Sequence, residues 1–453
     1  MSDDSVRYAP GIAVPDIQYF PEDTMPAGRA ALLGLQHVLA MFGATVLAPI
    51  LMGFNPNTAI LFSGISTLIF MVVVGGKVPS YLGSSFAFIA AVAAASGYSG
   101  AGANPNLAVA LGGIVAAGAL YLVLALLITW IGFRWIEVIF PDLVSGTIVG
   151  IIGLSLAAVA VSQVGTAPFG ILIGLLTLLV AVLWPVVFRV RKGGSPGTVR
   201  GIVAVLPIIA AGVIGYLAYL IGANFLGYGK PIDFGPLHQA PIFGIPAFAA
   251  PVFDPVAISI VVPVVIVLLA ENLGHVKAIG AMMGRDLNPM VGRAFAGDAI
   301  ATMVSGFGGG PGMTTYAENM AVMRLTGNFA RVTFVAAAII AIALGFSPIF
   351  GALIQTIPVP VLGGLSFALF GLITGAMGTI WQRGIQEGKI NFLETRTLLV
   401  VGIGLVIGAG NFVIRIGTFE LGGIVTATLI TVVLYHLLSF FGGASTEVPG
   451  GVQ

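Results

Sequence analysis

The run Gly308-Gly-Gly-Pro-Gly-Met-Thr-Thr-Tyr-Ala-Glu318-Asn319 constrains this chain more than any other stretch. It is rich in glycine, broken by Pro311 and carries a carboxylate, yet long apolar segments flank it on both sides. Backbone at membrane depth can leave helical geometry only where it is buried in protein or lines a cavity. An ionisable residue there is costly and by default marks a functional site. A counterpart lies far upstream, Pro79-Ser-Tyr-Leu-Gly83-Ser-Ser-Phe86, and the step from Pro79 to Phe86 equals that from Pro311 to Glu318. Paired interrupted segments in the two halves of a membrane protein point to a transporter's binding site. The expectation is a transporter built on an internal repeat, with its site where the two segments meet.

The flanks support this. Hydrophobic residues make up 58% of the chain and charged residues 8%, against roughly 45–50% and about 25% in soluble domains. A mean hydropathy of +1.08 over 453 residues requires apolar runs throughout, which describes a polytopic membrane protein. The net charge of +1 points to neither nucleic acid nor an acidic partner. With no cysteine, a thiolate metal site, a disulfide framework and a Cys nucleophile are all excluded. Residues 1–27 are polar and acidic and lack the pattern of a cleavable signal peptide, so they read as a cytoplasmic tail.

A spanning helix needs about 20 apolar residues, fewer where it is broken inside a bundle. The first half then offers spans at 30–51, 58–75, 79–95, 106–132, 141–161, 169–188 and 199–221. The second offers 255–276, 289–306, 312–324, 329–350, 358–377, 397–411 and 419–440. The fold class is an all-α polytopic protein of about 14 spans, with short extended segments in the third and tenth. Lys and Arg residues sort to one side of this arrangement, including Lys77, Arg134, the 189–200 cluster, Lys277, Arg285, Arg324 and Arg383. That places both termini in the cytoplasm and the chain in the cell inner (plasma) membrane.

Roughly seven spans per half invert the second repeat relative to the first. Phe140-Pro141 with Gly146, matched by Ile357-Pro358 with Gly363 at the same spacing, supports the repeat. The proline-rich 223–253 connection links the halves on the outside as an ordered cover with room for short strands. The 442–453 tail is too short for a folded domain.

Glu271 and His275 are four residues apart and share a helical face. Glu271 can accept N–H bonds from a polar ligand. His275, next to a loop expected to begin at Lys277, either exchanges a proton or holds a helix end. Glu318 follows the broken run directly, where a new helix would aim free N–H groups and its positive dipole end at the site. Asn319 can fix that carboxylate or bridge the broken segments, while Thr314 and Thr315 satisfy local backbone. Phe86, preceded by Ser84 and Ser85, either stacks on a flat ligand or packs in the core. Gln36 and His37 are a polar pair at the depth of Glu271, open to ligand contact or to helix–helix hydrogen bonding. Asp298 is a proton-relay member or a buried tether. Tyr81 and Tyr316 read as packing, with Tyr316 also supporting the site. No Walker loop, His-Glu-x-x-His or His cluster occurs, so no enzyme, cofactor or metal is expected.

Four stretches in order along the chain carry a resemblance. They are Gln36-His37-Val-Leu-Ala-Met-Phe-Gly-Ala-Thr-Val-Leu-Ala-Pro49, Val78-Pro-Ser-Tyr-Leu-Gly-Ser-Ser-Phe86, Ala270-Glu-Asn-Leu-Gly-His275 and Thr314-Thr-Tyr-Ala-Glu-Asn319. They resemble the nucleobase–ascorbate transporter (nucleobase:cation symporter-2) family, most closely its bacterial uracil permease branch. The resemblance implies a core domain (28–135 and 254–351), a gate domain (136–222 and 352–441) and a homodimer. It implies that Glu271 and Glu318 contact a nucleobase, that backbone near Phe86 and Ala317 completes the site, and that His275 links protonation to binding. Purine-transporting relatives tend to have Gln at the Glu318 position, so the Glu favours a pyrimidine. Ala317 and Ala321 stand where the family often has Gly, and each adds a methyl near the pocket.

Residue chemistry fits uracil, a small flat base with N–H donors beside carbonyl acceptors. A carboxylate that must be protonated or ligand-paired to move through low dielectric gives a route to proton coupling. The alternatives are a purine symporter of the same family, an anion transporter of inverted-repeat architecture, an intramembrane transferase and a scaffold. An anion carrier would favour positive or neutral pocket groups, a transferase a fuller nucleophile or metal set, and a scaffold has no need of paired breaks.

Overall fold

The computed structural model describes residues 19–98, 100, 102–188, 206–417 and 419–441. The 189–200 basic cluster, the start of the 199–221 span, the 442–453 tail and most of the N-terminal tail lie outside them. Helices dominate: α1 (Ala27–Met52), α2 (Pro56–Val73), α3 (Phe88–Ser96), α4 (Leu107–Ile131), α5 (Arg134–Ile139), α6 (Asp142–Ser155), α7 (Ala157–Val164) and α8 (Pro168–Val187) come first. They are followed by α9 (Pro207–Leu220), α10 (Gly235–Gln239), α11 (Pro255–Val261), α12 (Val264–Met283), α13 (Val291–Phe307), α14 (Ala317–Thr326) and α15 (Arg331–Gly345). The last are α16 (Pro348–Gln355), α17 (Val359–Gln386), α18 (Thr395–Ala409) and α19 (Gly423–Phe441).

Among the described residues, 9 helices are long and apolar enough to cross a membrane, or up to 10 if the bent pair α15–α16 counts as one span. This is a multi-pass membrane protein. Boundaries follow local chemistry. Asn55 caps α2 by accepting the Asn57 and Thr58 N–H groups, and Asp254 caps α11 through Ala257 N–H. Pro56 and Pro255 occupy first-turn positions, where a missing N–H costs nothing.

Three expectations are corrected. The 329–350 span is not straight: it bends by 81° where Ser347-Pro348 ends one helix and starts the next. The span ending near 276 runs on as α12 to Met283, so Lys277 lies inside a helix and not in a loop. Its ammonium is neutralised by Glu137, which removes the cost of continuing the helix. The outer connection forms no strand, because prolines at 231, 236, 241, 246 and 251 interrupt any ladder. A hairpin of β3 (Ile414–Ile416) and β4 (Phe419–Leu421) forms elsewhere.

The long helices pack in two groups of partners. In one, α4 lies on α13, α2 on α15, and α1 on α15 while α11 lies on α4. In the other, α17 lies against α6, α7 and α8, α6 also meets α18, and α8–α9 and α18–α19 form adjacent pairs. The broken segments sit inside the first group as β1 (Leu82–Ser84) and β2 (Met313–Thr315). Ahead of α1, the end of the N-terminal tail folds back, with Phe329 N–H donating to Tyr19 O at 2.8 Å and Arg285 pairing with Glu22.

Candidate functional site

β1 and β2 pair antiparallel, Leu82 opposite Thr315, Gly83 opposite Thr314 and Ser84 opposite Met313. All six residues are buried. An unpaired backbone group at this depth costs several kcal/mol, so each extended segment is stable only because the other is there. The ladder is extended by Tyr316 N–H to Tyr81 O (3.0 Å) and Ser85 N–H to Gly312 O (2.9 Å). Two threonines from neighbouring helices serve the outward-facing amides. Thr67 Oγ1 accepts Leu82 N–H at 2.9 Å, and Thr302 Oγ1 accepts Met313 N–H at 3.1 Å. Glycine is required for close approach: a Cβ on Gly83 would fall 2.5 Å from the Tyr316 ring, and one on Gly312 would fall 2.4 Å from the Phe88 ring.

Past the strands the chain turns helical on both sides. α14 opens at Ala317 behind an extended Tyr316 that provides no side-chain cap. Its first N–H groups and positive dipole end are therefore available where Glu318 stands, in the first turn. On the other side Ser85 Oγ accepts Ala87 N–H at 3.3 Å, ahead of α3. Phe86 is buried and meets Phe370 of α17 edge-on, with ring centroids 5.7 Å apart.

Glu271 reaches this region from α12. It is half-buried, its Oε2 has no partner among the described residues, and it lies within electrostatic reach of Glu318. Asp298 on α13 is buried, feels Glu271 and sits beside Asn272, yet neither of its oxygens meets hydrogen-bond geometry. Asn272 organises the interior. Its Nδ2 donates to Tyr121 Oη (2.9 Å), and its Oδ1 accepts from Thr314 Oγ1 (3.0 Å) and Thr315 Oγ1 (2.8 Å). Since Thr315 gives its one proton to Asn272, the 2.8 Å contact with His275 Nδ1 makes that nitrogen the donor. The two threonines thus bind a side chain on α12 rather than local backbone, and His275 is tied to β2 instead of ending a helix.

A second network closes the other flank. Asn319 Nδ2 donates to His37 Nδ1 (3.0 Å) and to His37 O (3.1 Å), linking α14 to α1. The His37 proton then sits on Nε2, which has no partner among the described residues, and neither has Gln36 Nε2 beside it. His37 therefore faces Asn319. Tyr316 Oη accepts from Thr45 Oγ1 (3.2 Å) and donates to Ser84 O (3.0 Å). Buried polar atoms without a protein partner each cost about 1–3 kcal/mol. Here Glu271, Asp298, Gln36, His37, Ser84 and Asn319 each hold at least one, and all are on elements that meet at the strand pair. Such a concentration is the signature of a site for a polar ligand or for mobile protons.

A cavity of about 430 Å³ lies beside the carboxylates, on the Lys/Arg-rich side. Its walls come from α12 (Leu273, Gly274, Lys277), α14 (Ala317, Ala321, Arg324), α17 (Thr379, Ile380, Arg383) and the start of α6. Glu271, Glu318 and Phe86 are outside this lining. The cavity is therefore a vestibule, with Ala317 the point where it touches the turn that carries Glu318. Sequence reasoning missed Phe370, Asn272, Tyr121, Thr45, Thr67 and Thr302. Asn272 alone carried a local signal, an amide next to a carboxylate in an apolar span.

Fold and site together define a polytopic membrane protein with a polar centre at two broken segments. Residues 28–417 match the model Xan_ur_permease, described as Permease family. The chain is 46% identical over 419 residues to the protein named pyrimidine permease RutG of Escherichia coli (strain K12), covering 92% of this chain and 91% of that one. It is 36% identical over 432 residues to the uracil permease of Bacillus caldolyticus, covering 92% and 94%. Among solved structures, murine Slc26a9, an anion transporter in the inward-facing state, matches with a TM-score of 0.62 at 12% identity, over 94% of this chain and 70% of that one. The transmembrane domain of the cyanobacterial bicarbonate transporter BicA gives 0.58 at 15% identity, over 92% and 100%. These two share the fold alone. The chain belongs to the permease family that the first match defines, and its resemblance to the bacterial uracil permeases is borne out.

Proposed function

We propose that this permease imports a nucleobase, uracil, by proton symport. A core domain (28–135 and 254–351) alternates access against a gate domain (136–222 and 352–441). The observation that carries this is the meeting of two broken segments in one ladder, flanked by Phe86, Glu318 and Glu271. A flat neutral base offers N–H donors to the carboxylates and carbonyls to the free amides at the start of α14. The ring of Phe86 and the gate's Phe370 supply apolar faces. Relatives named uracil or pyrimidine permease support the substrate class.

Inverted repeats of roughly seven spans are supported by the packing partners. Exchanging α1, α2 and α4 with α11–α12, α13 and α15 maps the α4–α13 contact onto α15–α2, α1–α15 onto α11–α4 and α1–α2 onto α12–α13. The same exchange maps Thr67 of α2, which serves β1, onto Thr302 of α13, which serves β2. Proton coupling follows from charge. Carboxylates close enough to repel cannot all stay ionised and unpaired as the core moves through low dielectric. An anion cargo is disfavoured by the same groups, despite the fold shared with anion transporters. The lipid-facing helices α8 and α9 expose Leu172, Leu175, Leu179 and Val213, a surface for bilayer and for the homodimer.

The test is radiolabelled uracil uptake into proteoliposomes, with and without an inward proton gradient, against unlabelled competitors. Gradient-stimulated uptake blocked by uracil but not xanthine supports the reading. Uptake of xanthine in its place would keep the site and move the substrate to the purines.

A further inference from the structure

The vestibule carries a charge contact that nucleobase binding does not use. Lys277 projects from α12, the helix of Glu271, and its Nζ lies 2.5 Å from Glu137 Oε1 and 4.0 Å from Asp142 Oδ1. Glu137 sits on α5 and Asp142 opens α6, so both belong to the joint between α4 and α6. The Lys277 and Asp142 side chains are each 10% exposed. A nearly buried charge is stable only with a partner, so removing one member strands the other. Asp142 is also within electrostatic reach of Lys389, just beyond the end of α17, whose ammonium is paired with Glu387. On losing Lys277 it can therefore share Lys389 with Glu387 and keep a counter-charge nearby.

We propose that Lys277 is a positioning residue for transport. Its ion pair with the α5–α6 joint holds the carboxylate helix in the arrangement that keeps the vestibule open. Closing the vestibule moves α12 against α6 and α17, and the Lys277–Glu137 contact opens as Asp142 passes to Lys389. The proposal rests on the alternating-access reading, because a fixed core and gate would give the contact nothing to control.

The chain has no native cysteine, so a single reporter thiol is unambiguous. Ala376→Cys on α17 lines the vestibule opposite α12. Its modification by a membrane-impermeant thiol reagent is measured in vesicles of both orientations, alongside uracil uptake. Lys277→Met is expected to slow modification by about threefold or more, the population shift a partly exposed ion pair can sustain. It should lower kcat for uptake more than it changes KM. Glu137→Gln, at the more exposed partner, should act in the same direction and carries the test if Lys277→Met does not fold. The swapped pair Lys277→Glu with Glu137→Lys should recover both readouts, which a merely structural lysine would not do. If the Ala376→Cys protein takes up no nucleobase in either vesicle orientation, the transport reading falls. If it transports and its modification rate is indifferent to both single substitutions, this inference alone is overturned.

Discussion

The two broken segments share a backbone and differ in chemistry. Each has a proline, an extended three-residue strand, a threonine from a neighbouring helix on its outer amide, and a helix beginning just beyond. The first delivers an aromatic ring, Phe86, and the second a carboxylate, Glu318, one residue further along the chain than the ladder equivalent of Phe86, which is Ala317. The architecture is symmetric because each strand exists only to satisfy the other in a dry interior. The site is asymmetric because a ligand with a flat face and polar edges needs both kinds of wall. Their carboxylate partner, Glu271, has no like-charged equivalent on α1, where Gln36 and His37 stand instead.

The sharpest break in that comparison comes from the carboxylates. Glu271→Gln is expected to reduce proton-driven uracil uptake about 100-fold, the loss of a charge-assisted hydrogen bond together with the titrating group. Retained gradient-driven uptake would remove Glu271 from the mechanism. Next are the glycines. Gly83→Ala and Gly312→Ala each place a methyl inside an aromatic ring's contact distance, and each should destabilise by about 1–3 kcal/mol. Thermal unfolding in detergent checks this. Unequal losses would show that the strands are not equivalent devices.

Phe86→Leu keeps an apolar side chain and loses the ring, so KM for uracil should rise up to about tenfold, with a stability loss of about 1 kcal/mol. An unaltered KM would make Phe86 core packing. Thr67→Val and Thr302→Val each strand a buried strand N–H and should each cost about 1–3 kcal/mol, with similar shifts in Tm. The smallest effect lies outside the membrane. Arg285 holds the Glu22 carboxylate below its usual range. That contribution is present above the unfolded carboxylate pKa and is lost as pH falls through the lowered folded value. Arg285→Gln should therefore lower Tm by no more than about 1–2 °C at neutral pH, and the difference should vanish in acid.

Much of this was legible in the sequence for physical reasons. Apolar run length located most long helices, since the bilayer sets that length. Gly and Pro announced the two extended segments, because a helix at that depth has no use for them. The 81° break at Ser347-Pro348 escaped because its flanks are equally apolar, and hydropathy cannot register a change of direction. The continuation of α12 past Lys277 escaped because the partner that neutralises the lysine is on α5. Partners were the general blind spot. Phe370 against Phe86, Asn272 against Thr314 and Thr315, and Asn319 against His37 join residues on different helices, and no local pattern marks them.

The measurement that bears most directly on the account is an experimental structure of the protein with uracil bound. The base is expected between the Phe86 ring and the Ala317–Glu318 turn, its N–H groups within hydrogen-bond distance of Glu271 and Glu318. A base held in the vestibule among Lys277, Arg324 and Arg383, away from both strands, would contradict it.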